Sequence, residues 1–190
     1  MREQEAMKAG KTIGWMAVLV ACGIGRVVMA AESGTATAEE AISKVRAAAS
    51  FLHSKGTSGY AEFSNRDGSW VWKDSYVFVY DCRQDKMIAH PMRPDLVGKP
   101  IMQITDNAGK YIFKDLCKAG TQPHGGWVEY AWSKPGAGAL SRKISYALAA
   151  DISFTSGIQV SAGTYDETMT IKELDAVLEK MSDPSRYQAL

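Results

Sequence analysis

Residues 127–146, WVEYAWSKPGAGALSRKISY, decide the fold because they have the pattern of two strands joined by a Pro-Gly turn. Successive side chains of a strand lie on opposite faces of a sheet, so Tyr130 and Trp132 share one face and Trp127 lies on the other. Aromatic side chains with polar tips form walls that suit a small organic acid. The stretch therefore predicts either a hairpin with an aromatic core or two strands that line a pocket.

Lys143 follows the turn and would place an ammonium group near the wall formed by Tyr130 and Trp132. A partly desolvated cation is what a ligand carboxylate needs. Tyr146 would offer a hydroxyl to the same ligand. However, Lys143 and Tyr146 lie on opposite faces of an ideal strand, so both reach one pocket only if a bulge intervenes. The alternative is that the aromatic residues are packing and that Lys143 is solvated.

The composition is that of an ordinary globular protein and limits the function classes. The chain has 190 residues, enough for one domain, with 46% hydrophobic and 23% charged residues and a net charge of +1. No run of basic residues is longer than two, which argues against a nucleic-acid partner.

The order of predicted elements is helix, two strands, helix, three strands, helix. The first and last helices each begin with a capping box, Thr37 with Glu40 and Thr170 with Glu173. Gly56 is expected to end the first helix. Helices segregated beside an antiparallel sheet define an α+β domain. The predicted helices cover residues 37–56, 106–120 and 170–181, and the strands lie near 76–80, 87–91, 127–133, 140–146 and 158–166.

Residues 1–31 have the pattern of a secretory signal peptide. The apolar run TIGWMAVLVACGI follows two lysines and precedes small residues, so cleavage is expected after Ala30 or Ala31. Met7 is a more typical start than Met1, because the residues that follow it form a basic n-region. An alternative is a lipoprotein site, since LVAC at residues 19–22 would make Cys22 an acylated N-terminus. The sequence therefore predicts export to the periplasm, either free or anchored through a lipid.

Two cysteines remain after such cleavage, Cys82 and Cys117. An oxidising compartment favours a disulfide between them, and the alternative is that both are small buried thiols. The chain has no metal-ligand spacing among its Cys and His residues, and it carries none of the common catalytic or nucleotide-binding motifs. We therefore expect no metal, no cofactor and no enzymatic activity, although catalytic groups can also meet only in the folded chain.

Several segments together resemble a single Cache domain of type 2, over about residues 36–180, with a tail at 181–190. They are YVFVYDCRQDKMIAHPMRPDLVGKPI, NAGKYIFKDL, GWVEYAW before KPG, RKISY and SAGTYD. The resemblance implies a PAS-like antiparallel sheet with a long N-terminal helix. It also implies a pocket on one sheet face for a small ligand, often a short carboxylate. The chain departs from the family at DISFTSG, where a tryptophan is usual before the last strand. Any output would pass through a partner such as a sensor kinase, chemoreceptor or transporter.

Two further residues are candidates for that pocket. His90 ends a strand before Pro91 and would donate a hydrogen bond to a carboxylate, or else be a structural histidine. Tyr80 ends the central strand and would reach the pocket floor, or else pack in the core. A docking module with a filled pocket and an unrecognised enzyme are the competing functions. The candidate ligand-binding set is Tyr80, His90, Tyr130, Trp132, Lys143 and Tyr146.

Overall fold

Helix α1, Ala38–Lys55, opens the part of the chain that the computed structural model describes, residues 34–183. The predicted signal peptide at 1–31, the start at Met7 and the lipid site at Cys22 lie outside these residues, as does most of the tail. The capping box forms as predicted, with the Thr37 side chain accepting a hydrogen bond from the Glu40 N–H. Gly56, at φ 60°, ends the helix, and the chain continues as a 3₁₀ helix over Gly56–Ser64.

Six antiparallel strands form the sheet, in agreement with the predicted α+β class. They are β1 Val71–Trp72, β2 Ser75–Asp81, β3 Lys86–Ala89, β4 Gly126–Ser133, β5 Leu140–Ala149 and β6 Ile158–Thr164. Their order is β1-β2-β6-β5-β4, and β3 pairs with the end of β2. In the β4–β5 hairpin Tyr130 lies opposite Lys143, and the register is regular from Gly126 to Ser133.

The other two helices are α2, Ile112–Gly120, and α3, Ile171–Ser182, which starts with the predicted capping box of Thr170 and Glu173. The prediction of a helix from residue 106 was wrong for its first six residues. The Asp106 carboxylate accepts hydrogen bonds from the backbone N–H groups of Ala108 and Lys110, and Gly109 has φ 80°. An aspartate that binds the following backbone stabilises a turn in place of a helix.

Each face of the sheet carries its own core. On one face α1 and α3 pack through Val45 and Leu174 against Val79 and Val160. On the other face α2 and an irregular stretch, residues 91–111, pack over Tyr76 and the aromatic residues of β2 and β4. We call residues 91–111 the covering segment. Within residues 34–183 no helix has both the length and the apolar character needed to cross a membrane.

Candidate ligand-binding site

Lys143 is buried on the face of the sheet under the covering segment, with only 1% of its surface exposed. Its ammonium nitrogen lies 4.0 Å from the ring centroid of Tyr76 and 5.3 Å from that of Tyr165. Gly163 makes room for the stem, because a Cβ there would lie 2.6 Å from Lys143 Cε. Burial lowers the pKa of Lys143 from 10.5 to about 7, although Asp74 opposes the shift. The alternative of a solvated Lys143 is therefore wrong.

Arg142, the neighbour of Lys143 in β5, points to the opposite side of the strand. Its guanidinium donates hydrogen bonds to the Glu129 carboxylate at 2.8 Å and to the Asp166 carbonyl oxygen at 2.9 Å. The side-chain bond from Arg142 lowers the pKa of Glu129. Two adjacent cations thus have different environments, because alternation along the strand places one at a partly exposed ion pair and the other in the core.

His90 is also buried, with 2% of its surface exposed, and its hydrogen bonds fix its tautomer. Ring nitrogen Nδ1 accepts hydrogen bonds from the backbone N–H groups of Met92 at 3.2 Å and Arg93 at 2.9 Å. A nitrogen that accepts carries no proton, so the neutral ring holds its proton on Nε2. Burial lowers the pKa of His90 well below its usual value, and the charge of Lys143 lowers it further. His90 is therefore an uncharged donor.

The buried tyrosines of this face differ in whether their hydroxyls are satisfied. Tyr130 shares a hydrogen bond of 2.8 Å with Ser145, and Tyr80 bonds to Ser161 at 2.8 Å. The Tyr76 hydroxyl is buried and makes no hydrogen bond of standard geometry within residues 34–183, although the polar ends of Tyr165 and Trp132 are close enough to interact with it. Burial raises the pKa of Tyr76 to about 12, so it stays protonated at neutral pH. A buried hydroxyl without a good hydrogen bond costs free energy, which a ligand that accepts a hydrogen bond from it would recover.

A small, partly open cavity lies among these groups; it has about 180 Å³ of unoccupied space, no part of which is wide enough for a water molecule. The Lys143 stem, the His90 ring and the aromatic wall predicted from β4 all face it. Its lining residues are Tyr76, Phe78, His90, Ile112, Phe113, Tyr130, Trp132 and Lys143. Four of the six predicted residues thus come together here. A wider depression of about 970 Å³ runs along the outer edge of β4, but Lys143 and His90 do not line it.

The structure does not bring Tyr80 and Tyr146 to the cavity lining. Tyr146 lies on the other face of the sheet, 5.4 Å from the Trp127 ring, and its hydroxyl donates to the His124 carbonyl oxygen. The hairpin register is regular at Tyr146, so no bulge carries it across. Tyr80 shares the face of Lys143 but packs 5.4 Å from Phe113 and directs its hydroxyl toward β6.

Four lining residues were missed from the sequence. For Tyr76 and Phe78 a signal existed, because they alternate with Val77 and Val79 in YVFVY, and the valines contribute to the core under α1. Alternation in a buried strand separates two faces but does not say which face holds a cavity. Ile112 and Phe113 lie in α2, and nothing local in their sequence shows where that helix packs.

The covering segment is held in place at two points. At its middle the Asp85 carboxylate accepts hydrogen bonds from the backbone N–H groups of Ile101 and Met102, both at 2.7 Å. Nearer its C-terminal end the Asp106 carboxylate accepts from the Ala131 N–H of edge strand β4 at 3.2 Å. Both aspartates thus use carboxylate oxygens to replace strand pairing, which positions an irregular stretch over the cavity.

Cys82 and Cys117 form a disulfide that joins the end of β2 to α2. This helix also carries Ile112 and Phe113, so the disulfide holds the apolar end of the cavity against the sheet. In the part of the chain that the structure describes, no three His, Cys, Asp or Glu side chains are grouped so that they could hold a metal ion. The site is thus built from one buried cation, uncharged donors and aromatic walls.

Comparison with known proteins gives relatives that are sensors. Methyl-accepting chemotaxis protein McpP of Pseudomonas putida is 36% identical over 73 residues, which are 38% of this chain and 13% of that protein. Sensor histidine kinase MctS of Rhizobium johnstonii is 32% identical over 79 residues, 42% of this chain and 17% of that protein. The matches thus span less than a fifth of either curated relative.

A solved Cache chemosensory domain, studied for its recognition of carboxylic acids, superimposes with a TM-score of 0.51 and 25% identity. The superposition covers 66% of this chain and 86% of that one. The family description "Single Cache domain 2" matches residues 17–169, most of the chain. The chain therefore belongs to the single Cache domain 2 family.

Proposed function

We propose that this domain binds a short carboxylate in the cavity beside Lys143 and passes the bound state to a signalling partner. The observation that carries the proposal is the buried ammonium of Lys143, which lines the cavity together with His90 and Tyr76. A buried cation that forms no ion pair is costly even when aromatic rings surround it, and an anion of matching size would remove much of that cost. We assign the site a binding role in place of a catalytic one.

The proposed geometry gives each donor a task. The Lys143 ammonium would supply the charge, while His90 Nε2–H and the Tyr76 hydroxyl would supply uncharged hydrogen bonds to the carboxylate oxygens. A charge-assisted hydrogen bond contributes about 1.5–3 kcal/mol. Phe78, Phe113 and Trp132 line the remaining cavity wall, so the rest of the ligand would be small and largely apolar. Because no part of the cavity is wide enough for water, the side chains or segments around it must move when a ligand binds.

The relatives support this role without fixing the ligand or the partner. One solved relative is a Cache domain studied for carboxylic acid recognition, and two sequence relatives are a chemotaxis protein and a sensor kinase. The family supplies extracytoplasmic sensor domains, so we place this domain in the periplasm, exported by the signal at residues 1–31. Its partner would then be a chemoreceptor, a sensor kinase or a transporter.

Calorimetry on the wild type and two neighbouring variants tests the site. Titration with acetate, pyruvate and lactate should show saturable binding of at least one acid, and Lys143→Met should weaken it by about 10- to 150-fold. Arg142→Ala is the matched control, since it removes a neighbouring cation on the other face and should leave the affinity within about twofold. If Arg142→Ala lost acid binding while Lys143→Met kept it, the ligand would lie on the opposite face of the sheet, and this result would contradict the proposal.

A second function has one observation in its favour. The cavity is too narrow for water, as expected for a docking module whose pocket is filled by its own side chains. Ligand binding to the native state raises the melting temperature, whereas a filled pocket gives no shift with any acid. A thermal-shift screen of C2 to C6 mono- and dicarboxylates at millimolar concentration therefore separates the two functions.

A further inference from the structure

We infer that the carboxylate reaches the cavity from a positively charged surface groove and that Trp132, lying against Arg93, is the gate between the two. This inference rests on the proposed carboxylate binding and adds the path by which the acid arrives. The groove lies between the covering segment and the β4–β5 turn and has a volume of about 560 Å³. Three cations line it, Arg66, Arg93 and Lys134.

The charge of the groove favours anions. Within the described residues Asp106 is the one acidic side chain that lines it. Both Asp106 carboxylate oxygens accept backbone hydrogen bonds, Oδ1 from Ala108 and Lys110 and Oδ2 from Ala131. Arg93 is paired with Asp95 through two hydrogen bonds, whereas the Lys134 ammonium lies 5.5 Å from the centroid of the uncharged Tyr165 ring, so Arg66 and Lys134 are the cations whose charge an approaching acid would meet. A concave surface with an excess of one sign of charge raises the rate at which ligands of opposite sign arrive.

Trp132 separates the groove from the cavity. Among residues 34–183 it is the one side chain that lines both spaces. Its ring is half-buried and packs edge-on against Tyr130, with ring centroids 6.2 Å apart. Rotation of this one side chain would connect the surface with the cavity. Trp132 lies one residue before the end of β4, because the pairing of β4 with β5 ends at Ser133 opposite Leu140.

Arg93 links this gate to the binding site. Its guanidinium carbon lies 5.5 Å from the Trp132 ring centroid, a cation–π distance. Its backbone N–H donates to His90 Nδ1, so the residue that covers the gate is also bound to a donor of the cavity. Movement of the Arg93 guanidinium off the Trp132 ring would free the gate, and a shift of the Arg93 backbone would also break its hydrogen bond to His90.

The path through the groove is favoured over one beside α2. At the α2 end the cavity is closed by Ile112 and Phe113, and the Cys82–Cys117 disulfide fixes that helix to the sheet. Apolar side chains on a crosslinked helix offer a carboxylate neither attraction nor an easy opening. At the groove end the wall is one half-buried tryptophan beside cations.

Stopped-flow kinetics with acetate, pyruvate and lactate tests the groove. The double variant Arg66→Gln with Lys134→Gln should lower the association rate constant about two- to fivefold at about 10 mM ionic strength, and the difference should vanish near 0.5 M. Its dissociation rate constant should not change, because neither residue lines the cavity. The control, Lys86→Gln with Lys99→Gln, removes the same charge from exposed positions outside the groove. Equal association rates in the two double variants would overturn the inference.

Trp132→Ala tests the gate. If the side chain blocks the path, both rate constants should rise, each by at least about threefold, because opening no longer limits passage in either direction. A tryptophan that only contacts the ligand would raise the dissociation rate constant alone, and that result would overturn the gate. Lys143→Met separates the two proposals: if its loss of affinity is seen while the groove and gate variants keep wild-type association rates, binding stands and the path is wrong. If no acid binds the wild type, both the proposed binding and the proposed path are wrong.

Discussion

The two faces of the sheet use the same strands and differ in what they bury. The face under α1 and α3 buries mostly apolar side chains. Trp127 Nε1 donates there to the Leu174 carbonyl oxygen, while the Tyr60 hydroxyl and Trp72 Nε1 make no hydrogen bond of standard geometry within residues 34–183. The face under the covering segment buries Lys143, His90 and the unsatisfied Tyr76 hydroxyl. Apolar burial stabilises the fold by about 25 cal/mol per Å². Buried charge and unmet hydrogen bonds destabilise it. The two faces therefore differ chiefly in the buried ammonium of Lys143, whose cost the proposed anionic ligand would recover.

The largest expected effect comes from opening a cavity on the face under α1 and α3. Leu52 in α1 is fully buried, so Leu52→Ala should lower the free energy of unfolding by about 2–5 kcal/mol, measured by urea denaturation. Acid affinity should stay near the wild-type value, because Leu52 packs on the opposite face from Lys143. Ser50→Ala, an exposed change in the same helix, should alter stability by no more than about 0.5 kcal/mol. A drop in affinity equal to that of Lys143→Met would show that the faces are not independent.

Removing the disulfide should affect the covered face. The double variant Cys82→Ser with Cys117→Ser should lose about 2–4 kcal/mol of stability, because the crosslink restricts the unfolded chain. It should also weaken acid binding, since α2 carries Ile112 and Phe113. Reductant added to the wild type should reproduce both effects and should change the double variant no further. Unchanged affinity in both experiments would mean that α2 holds its place without the bond.

Lys143→Met should raise the stability of the protein, in contrast to the two preceding changes, which lower it. The pKa of Lys143 is about 7 in the folded protein and 10.5 in the unfolded chain. Between these values the unfolded chain binds more protons, so the free energy of unfolding of the wild type rises with pH across this window. Below pH 7 Lys143 is charged in the folded and the unfolded protein, so the full free-energy cost of burying its charge is present. The variant should therefore be more stable than the wild type at pH 6, by about 1–4 kcal/mol, and its advantage should shrink by pH 9.

Urea denaturation of both proteins at pH 6, 7.5 and 9 measures that difference. For the same reason acid affinity should fall as pH rises above 7, because the anion binds the protonated lysine. A variant that is less stable than the wild type at every pH would show that the ammonium is paired well in the free protein, contrary to the account of this face.

The smallest expected effect concerns the capping box at the N-terminus of α3. Thr170 accepts a hydrogen bond from the Glu173 N–H, and Thr170→Ala should lower stability by about 1 kcal/mol. Thr168→Ala, which removes an exposed side chain hydrogen-bonded to Asp166 just before the helix, is the neighbouring comparison. Acid affinity should not change in either variant. A larger loss in Thr168→Ala would mean that the turn before α3, and not its capping box, fixes the helix.

The sequence predicted those features that depend on neighbours along the chain. Both capping boxes form, and alternation in the hairpin correctly separates Lys143 from Arg142 and Tyr130 from Trp127. These features follow from helical and strand periodicity alone.

Features that depend on tertiary contacts were not predictable in the same way. The unmet hydroxyl of Tyr76 depends on what lies across the sheet face, and no local pattern distinguishes it from the satisfied Tyr80. The helix predicted from residue 106 failed because the Asp106 carboxylate binds its own turn and strand β4. For Tyr146 the sequence showed that a bulge was required but not that the hairpin lacks one.

The disulfide places the covering segment inside a covalently closed loop of the chain. Cys82 and Cys117 are 35 positions apart, and the chain between them contains β3, His90 and the whole covering segment. The main chain from Cys82 to Cys117 and the disulfide together form a closed covalent ring that contains the covering segment. A protease that cuts once within residues 92–111 would therefore leave a nicked protein whose two pieces migrate as one band without reductant and as two bands with it. In an oxidising compartment such a nicked domain would stay covalently joined, whereas the same protein produced in a reducing compartment would have no covalent bond across the cut.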